Sequence, residues 1–251
     1  MTKKKLIAKR IALVLTYIFA VAGWSGSKLQ AQEFLYEFGA KGGLTHYAGD
    51  IGRRGPFVSP SAGIGAEMRY NINFRFALSA ELSLYNLKGQ FKNADNIFPE
   101  GKQGNFSNAF YFLGVMGEYN FLPLSDKYKY LQTSPWSPYL AIGLGAGATK
   151  TYKGTRVAPV WQIGGGIKYK LSEKWTLQAS WIYHGVASDA LDAPDEEHRW
   201  LDNPYNISQS SISKGDGFGA LTFGFTYSFG NRYSDCTKVK KAPKFKPLKF
   251  K

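Results

Sequence analysis

The chain has 251 residues with 32 Lys and Arg against 18 Asp and Glu, a formal net charge of +14, 16% aromatic residues and 28 glycines. One cysteine excludes an intrachain disulfide framework and a four-cysteine zinc site. The aromatic content is too high for a disordered chain, and no apolar run of about 18 residues follows the N-terminus, which argues against a helical span in the mature protein.

Residues 1–31 read as a secretory signal peptide. Lys3, Lys4, Lys5, Lys9 and Arg10 form the basic start, Ile11 to Ala22 the apolar core, and Leu29-Gln30-Ala31 the cleavage site. Six positive charges and no acid lie in this segment, so the remainder carries +8. Residues 230–251, with Arg232 and seven lysines against Asp235, account for +7 of that and leave 32–229 at +1. The basic character belongs to the two ends, and a nucleic-acid reading from net charge loses its basis.

Between residues 34 and 229 the sequence alternates with period two in eight stretches, about 34–46, 58–71, 74–84, 108–122, 137–149, 157–171, 174–184 and 220–229. The third sets Phe74, Phe76, Leu78, Ala80, Leu82 and Leu84 against Arg75, Ser79, Glu81 and Ser83. The sixth sets Val157, Trp161, Ile163, Ile167, Tyr169 and Leu171 against Gln162, Lys168 and Lys170. The seventh sets Trp175, Leu177, Ala179, Trp181 and Tyr183 against Lys174, Thr176, Gln178, Ser180 and His184. The eighth sets Leu221, Phe223, Phe225, Tyr227 and Phe229 against Ala220, Thr222, Thr226 and Ser228.

A soluble barrel with an apolar interior also alternates, but three features favour an eight-stranded antiparallel transmembrane β-barrel over residues 32–230. Aromatics gather at the ends of the apolar face: Tyr70, Phe74, Tyr119, Phe121, Tyr169, Trp175, Tyr227 and Phe229 at one rim, and Phe57, Trp161, Trp181 and Tyr183 at the other. The opposite face carries Glu37, Lys41, Arg75, Glu81, Glu118, Lys168 and Lys170, too many charges for a dry core but suited to mutual pairing in a lumen. Gly143, Gly145, Gly147, Gly164 and Gly166 are expected to make room there for Tyr85, Phe112 and Phe218, giving a filled barrel rather than a pore. Third, tight connections (71–73, 172–173) alternate with long ones (47–57, 86–107, 185–216), with 123–135 as the exception. An even strand number puts both termini on one side, the periplasm in an outer membrane.

No catalytic, cofactor or metal site is expected, and the chain reads as a non-enzyme. His184 with Ser188 lacks the spaced partners of a hydrolase. The acidic loop 189–202 lacks the ligand spacing of a calcium loop, and Gly164-Gly165-Gly166 lacks the lysine and helix of a phosphate loop. The end of the eighth strand, Thr222-x-Gly224-x-x-Tyr227-x-Phe229, resembles the terminal-strand signal read by the outer-membrane insertion machinery. Residues 231–251 form a basic extended tail. Lys238, Lys240, Lys241, Lys244, Lys246 and Lys249 interleave with Phe245 and Phe250, which suits either a solvated tail or a periplasmic strap that docks on another protein. Cys236 pairs with another chain or stays free.

The first strand reads Phe38-Gly-Ala-Lys-Gly-Gly-Leu-Thr-His-Tyr47-Ala-Gly-Asp50. Glycines followed by Tyr-x-Gly-Asp, on an exported eight-stranded barrel, resemble the PorG family of the type IX secretion system. The resemblance implies an outer-membrane barrel, embedded in outer-membrane lipid and associated with the periplasmic PorK–PorN ring. That machinery serves protein secretion and, in some bacteria, gliding motility. Gly42, Gly43, Tyr47, Gly49 and Asp50 are then structural, and no catalytic residue comes with the family.

Overall fold

In the computed structural model, residues 34–49, 59–90, 104–125, 133–188, 191, 194–196 and 216–232 are described. All lie in the unit Gln32–Lys251. The signal peptide, Asp50, Phe57, most of the acidic loop 189–202, Cys236 and the tail residues Lys238 to Phe250 fall outside the described residues.

Eight antiparallel strands follow one another: β1 (Phe34–Ala48), β2 (Ser61–Asn71), β3 (Phe76–Gln90), β4 (Asn105–Asn120), β5 (Trp136–Thr151), β6 (Gly154–Lys170), β7 (Trp175–Val186) and β8 (Gly217–Arg232). Each pairs with the next, and β8 pairs with β1 from Ala48↔Gly217 to Phe34↔Arg232, so the sheet closes without a free edge. Closure satisfies the strands' backbone donors and acceptors within the wall, as a bilayer requires. Residues 34 and 232 share one end of the barrel, called here the terminus end; the opposite end is the loop end.

The register fixes the shape. Following Cα partners from Glu37, the path crosses Arg69, Ser79, Met116, Gly143, Gln162, His184 and Phe218 and re-enters β1 at Tyr47. It closes ten residues further along β1 than it began. With about 4.8 Å between strands and about 3.3 Å per residue, that stagger tilts eight strands by about 40° at a backbone radius of about 8 Å. Each residue climbs about 2.5 Å along the axis, and each step to the next strand on this path climbs about 3 Å more.

On that scale every strand contributes an outward aromatic to one flat ring at the terminus end: Tyr36, Tyr70, Phe76, Tyr119, Trp136, Tyr169, Trp175 and Tyr227. The rings touch in runs: Phe229 on Tyr36 at 5.8 Å, Tyr36 on Tyr70 at 5.5 Å, Phe76 on Tyr119 at 5.0 Å and Trp175 on Tyr227 at 5.0 Å. Above the ring the outward face is apolar, with Ile142 67%, Leu144 68% and Leu82 62% exposed. Exposure of that size at so many large apolar residues marks a lipid-facing band. On β3 the outward face turns polar at Asn86, Lys88 and Gln90, beginning about 25 Å above the ring, the height of an outer-membrane apolar band.

Several expectations are corrected. The β2–β3 turn spans 72–75, so Phe74 and Arg75 precede β3, and Arg75 donates to the Phe121 carbonyl at 2.5 Å instead of entering the lumen. Lys174 is likewise exposed in the β6–β7 turn, over the Tyr227 ring at 5.8 Å. β3 and β4 run further than the alternation of apolar residues does, which shortens the long connection to 91–104. They extend because the wall continues beyond the membrane, where its outer face is polar. At the loop end β5 and β6 are joined tightly through Tyr152 and Lys153, with Gly154 at φ 106° supplying the left-handed turn position. The second aromatic rim is sparser than the first: Trp161 meets Tyr183 at 5.4 Å, but strand tilt leaves the Trp181 backbone nearer the middle of the band.

Height decides what a charge on the outer face costs. Ile142→Arg, near mid-band, is expected to cost roughly 2–4 kcal/mol of barrel stability and Tyr169→Arg, in the aromatic ring, about 0–1 kcal/mol. Urea titration of the protein folded into vesicles, with heat-modified gel mobility as the folding readout, measures both. Equal losses would contradict the assigned heights.

Candidate functional site

The lumen has two halves. Toward the terminus end it holds Glu37, Lys41, Glu67, Arg69, Glu81, Glu118, Lys168 and Lys170, every one buried. Four cations face four carboxylates, so the formal charges cancel. The centre is Arg69. Its guanidinium donates to Glu37 at 2.6 Å, Glu67 at 3.0 Å, Glu118 at 2.9 Å and the Gln178 carbonyl oxygen at 2.6 Å. The planar fork of an arginine suits it to several acceptors at once. These partners sit on β1, β2, β4 and β7, so one side chain ties strands that the wall leaves unpaired.

The network spreads from there. Glu37 also accepts from Thr226 at 2.8 Å and Asn71 at 3.0 Å, and pairs with Lys170 at 3.3 Å. Lys168 bonds Glu118 and lies 4.3 Å from the centre of the Tyr139 ring. Lys41 pairs with Glu81 at 2.7 Å, and Glu81 accepts from Ser83 at 2.6 Å and Tyr85 at 2.5 Å. Arg69 and Glu67 are additions to the charges read from the sequence. Their signal was present, because Ile64, Ala66, Met68 and Tyr70 alternate with Gly65, Glu67 and Arg69.

Toward the loop end the lumen becomes aromatic. Tyr47, Tyr85, Phe106, Phe110, Phe112 and Phe218 pack with Leu87, Val160 and Val186. Gly143, Gly145 and Gly147 of β5 make the space. A Cβ at Gly145 would stand 2.6 Å from the Phe112 ring, and one at Gly147 would strike Phe110. Gly164 and Gly166 do not serve this purpose: a Cβ there would meet the β7 backbone, so they permit close strand approach. Leu191, fully buried, covers the mouth. Its carbonyl accepts from Asn108 at 2.9 Å and its amide donates to Asp216 at 3.3 Å.

His184 stands inside this plug, stacked on Phe218 at 4.5 Å and 3°, with Phe112 and Tyr85 at 5.3 and 5.2 Å. Neither ring nitrogen has a hydrogen-bond partner among the described residues, so no carboxylate orients it as a base. Its neighbour across the sheet, Gln162, also leaves both amide atoms unpartnered, which marks a place for lumenal water. Ser188 is buried beyond β7. His46 faces outward at the end of β1, with its ring parallel to that of Trp181 at 6.4 Å. Among the described residues no group of three His, Cys, Asp or Glu could hold a metal.

The first-strand motif meets the loop end. Tyr47 donates to Asp216 at 2.7 Å and packs edge-on against Phe106 at 4.9 Å. A Cβ at Gly49 would collide with both partners of that bond. A Cβ at Gly43 would collide with the β8 backbone, whereas at Gly42 nothing lies nearer than 3.6 Å. In β8, Thr222 and Gly224 face the lumen, Thr222 bonding Ser180 at 2.9 Å, while Tyr227 and Phe229 stand outward in the lower aromatic ring. The connection after β4 is pinned at the terminus end: Ser125 donates to the Ser134 carbonyl at 2.9 Å, Ser134 to Pro123 at 2.8 Å, and Leu124 is buried.

Removing the hub should strand its acceptors. Arg69→Met leaves Glu37, Glu67 and Glu118 short of a shared counter-charge, with an expected cost of roughly 3–5 kcal/mol that adding Glu67→Gln partly recovers. Urea midpoints in vesicles read this directly, and an unchanged midpoint would contradict a central Arg69. Gly147→Ala should lose roughly 1–3 kcal/mol by overpacking against Phe110, and Phe110→Leu in the same chain should restore part of it. Additive losses in the double variant would refute that contact.

No curated protein matches the chain by sequence. Among solved structures it is similar to Neisserial surface protein A (14% identity, 77% of this chain and 97% of that one, TM-score 0.47). It is also similar to the N-terminal barrel domain of Pseudomonas aeruginosa OprF (14%, 76% and 96%, TM-score 0.39) and to outer membrane protein W of E. coli (13%, 80% and 100%, TM-score 0.38). The family model described as the outer membrane protein beta-barrel domain matches residues 16–229. With that match over most of its length, and a closed eight-stranded wall beneath it, the chain belongs to the outer membrane protein β-barrel domain family.

Proposed function

We propose that the protein is a non-enzymatic outer-membrane component of a protein secretion complex of the type IX kind, contacting a periplasmic ring of the PorK–PorN type. The observation that carries this reading is the division of labour in the barrel. The lumen is filled from the Arg69 network to Leu191, which leaves the two ends as the working surfaces. At the terminus end, β8 stops at Arg232 beside the pinned β4–β5 connection, and the lysine-rich segment follows. With that end in the periplasm, seven lysines within 238–251 attract an acidic protein surface over a Debye length, and Phe245 and Phe250 give the encounter apolar anchors. The Tyr47-x-Gly49-Asp50 resemblance adds the type of complex; on the barrel itself the motif residues act structurally, holding β1 to the segment before β8.

Truncation after Arg232 is expected to leave an inserted, heat-modifiable barrel, because the lipid-facing pattern of β8 ends at Phe229. The same truncation should reduce crosslinked co-purification with the ring proteins and lower secretion. Phe245→Ala with Phe250→Ala should mimic it in part, while lysine-to-arginine changes at Lys238, Lys240 and Lys241 should not. Full complex recovery and secretion from the truncated chain would overturn the tail's role. Recovery of the full-length protein without any ring component would overturn the secretion reading.

A further inference from the structure

Beyond the apolar band on the loop side, the outer face of the wall changes sign as well as polarity. Lys88 of β3 and Lys150 of β5 lie on the outward alternation of their strands and are exposed. Arg156 of β6, exposed as well, pairs with Thr149, the residue before Lys150. Three strands thus each raise one cation. The barrel stagger places the three Cα atoms within about 2 Å of one axial height, about 31 Å above the aromatic ring and roughly 6 Å beyond the apolar band. Along the wall, Lys88 and Lys150 are about 12 Å apart and Lys150 and Arg156 about 6 Å.

None of the three has an ion pair or hydrogen bond among the described residues, in contrast to the lumenal cations. The neighbouring outward positions are Asn86, Gln90, Ser107 and Thr155, which bring polarity without negative charge. Solvated surface lysines need share no height. These share the height at which a bilayer presents its headgroups, on one third of the circumference.

We infer that the tips of β3, β5 and β6 form a binding collar for a phosphorylated anionic lipid of the leaflet on the loop side. Its acyl chains would lie along the Leu82, Leu113 and Leu144 face below, and its phosphates would be met by Lys88, Lys150 and Arg156. The spacing favours a headgroup with two phosphates roughly 12 Å apart, one at Lys88 and one shared by Lys150 and Arg156, where the ammonium acts as a point charge and the guanidinium as a fork. Electrostatic attraction to anionic headgroups falls off within a Debye length, so cations at this level count and ones much further out do not. The inference rests on the outer-membrane placement of the barrel and is independent of its role in secretion.

Native mass spectrometry of the full chain in detergent tests it, with a bis-phosphorylated glucosamine lipid, phosphatidylglycerol and phosphatidylcholine added in turn. Wild-type protein is expected to retain the bis-phosphorylated lipid first and phosphatidylcholine least. A Lys88→Ser, Lys150→Ser, Arg156→Ser variant with normal heat-modified mobility should need at least tenfold more of the phosphorylated lipid, and Lys174→Ser at the opposite rim should behave as wild type. Equal retention by the triple variant, or an equal loss in Lys174→Ser, would overturn the collar. Displacement of the lipid by millimolar inorganic phosphate would also overturn it, showing a site for the free anion. Undiminished ring co-purification by the triple variant would separate the collar from the secretion reading, since failure of either leaves the other's readout intact.

Discussion

Closing eight strands with a stagger of ten residues leaves a cylinder of about 8 Å backbone radius, and most of the molecule follows from that number. The circumference is too small for a water channel once side chains are added, and too large to leave empty. Alternation sends every second residue inward, so the interior must be filled by whatever the inward positions hold. Here they hold a charge-neutral network in one half and an aromatic plug in the other. The same stagger lifts residues by strand as well as by position, which is how aromatics at unrelated places in the sequence come to form one level ring.

Burying charges is costly unless each finds partners, and that condition explains why Arg69 matters. A lone carboxylate in this lumen would face desolvation without return. Arg69 instead offers its donors to three carboxylates and an amide, while Lys168 and Lys170 satisfy the oxygens left over. The wall joins only adjacent strands; the network ties β1 to β4, β6 and β7 across the interior. Lipid outside gives no hydrophobic force for packing inward, so these cross-ties and the aromatic plug hold the interior together.

Much of this was legible in the sequence because period-two alternation is local. Leu221 to Phe229 on one face and Thr222 to Ser228 on the other fixed the direction of β8 before any coordinate was known. What local pattern does not carry is height and partnership. Arg75 sits one residue before β3 and looks like the next inward charge, yet the turn at 72–75 takes it out of the lumen. Arg69 lies in a strand interrupted by glycine and alanine, where alternation is faint, and its role depends on β1, β4 and β7 arriving beside it. Gly164 and Gly147 look alike in sequence; one faces a neighbouring backbone and the other an aromatic ring across the lumen. Leu191 had no periodic signal at all, since it closes the mouth from a loop.

A barrel filled in this way is a scaffold with two faces, held in the membrane by its belt and presenting its ends to other molecules. That account depends on the lumen being closed to solutes from Glu37 to Leu191. The direct measurement is ion conductance of the purified, heat-modifiable protein in a planar bilayer. Insertion without a sustained current, and without release of a small dye from proteoliposomes, is the predicted result. A stable, reproducible single-channel current from the wild-type chain would show an open path past Phe110, Phe218 and Leu191, and would contradict it.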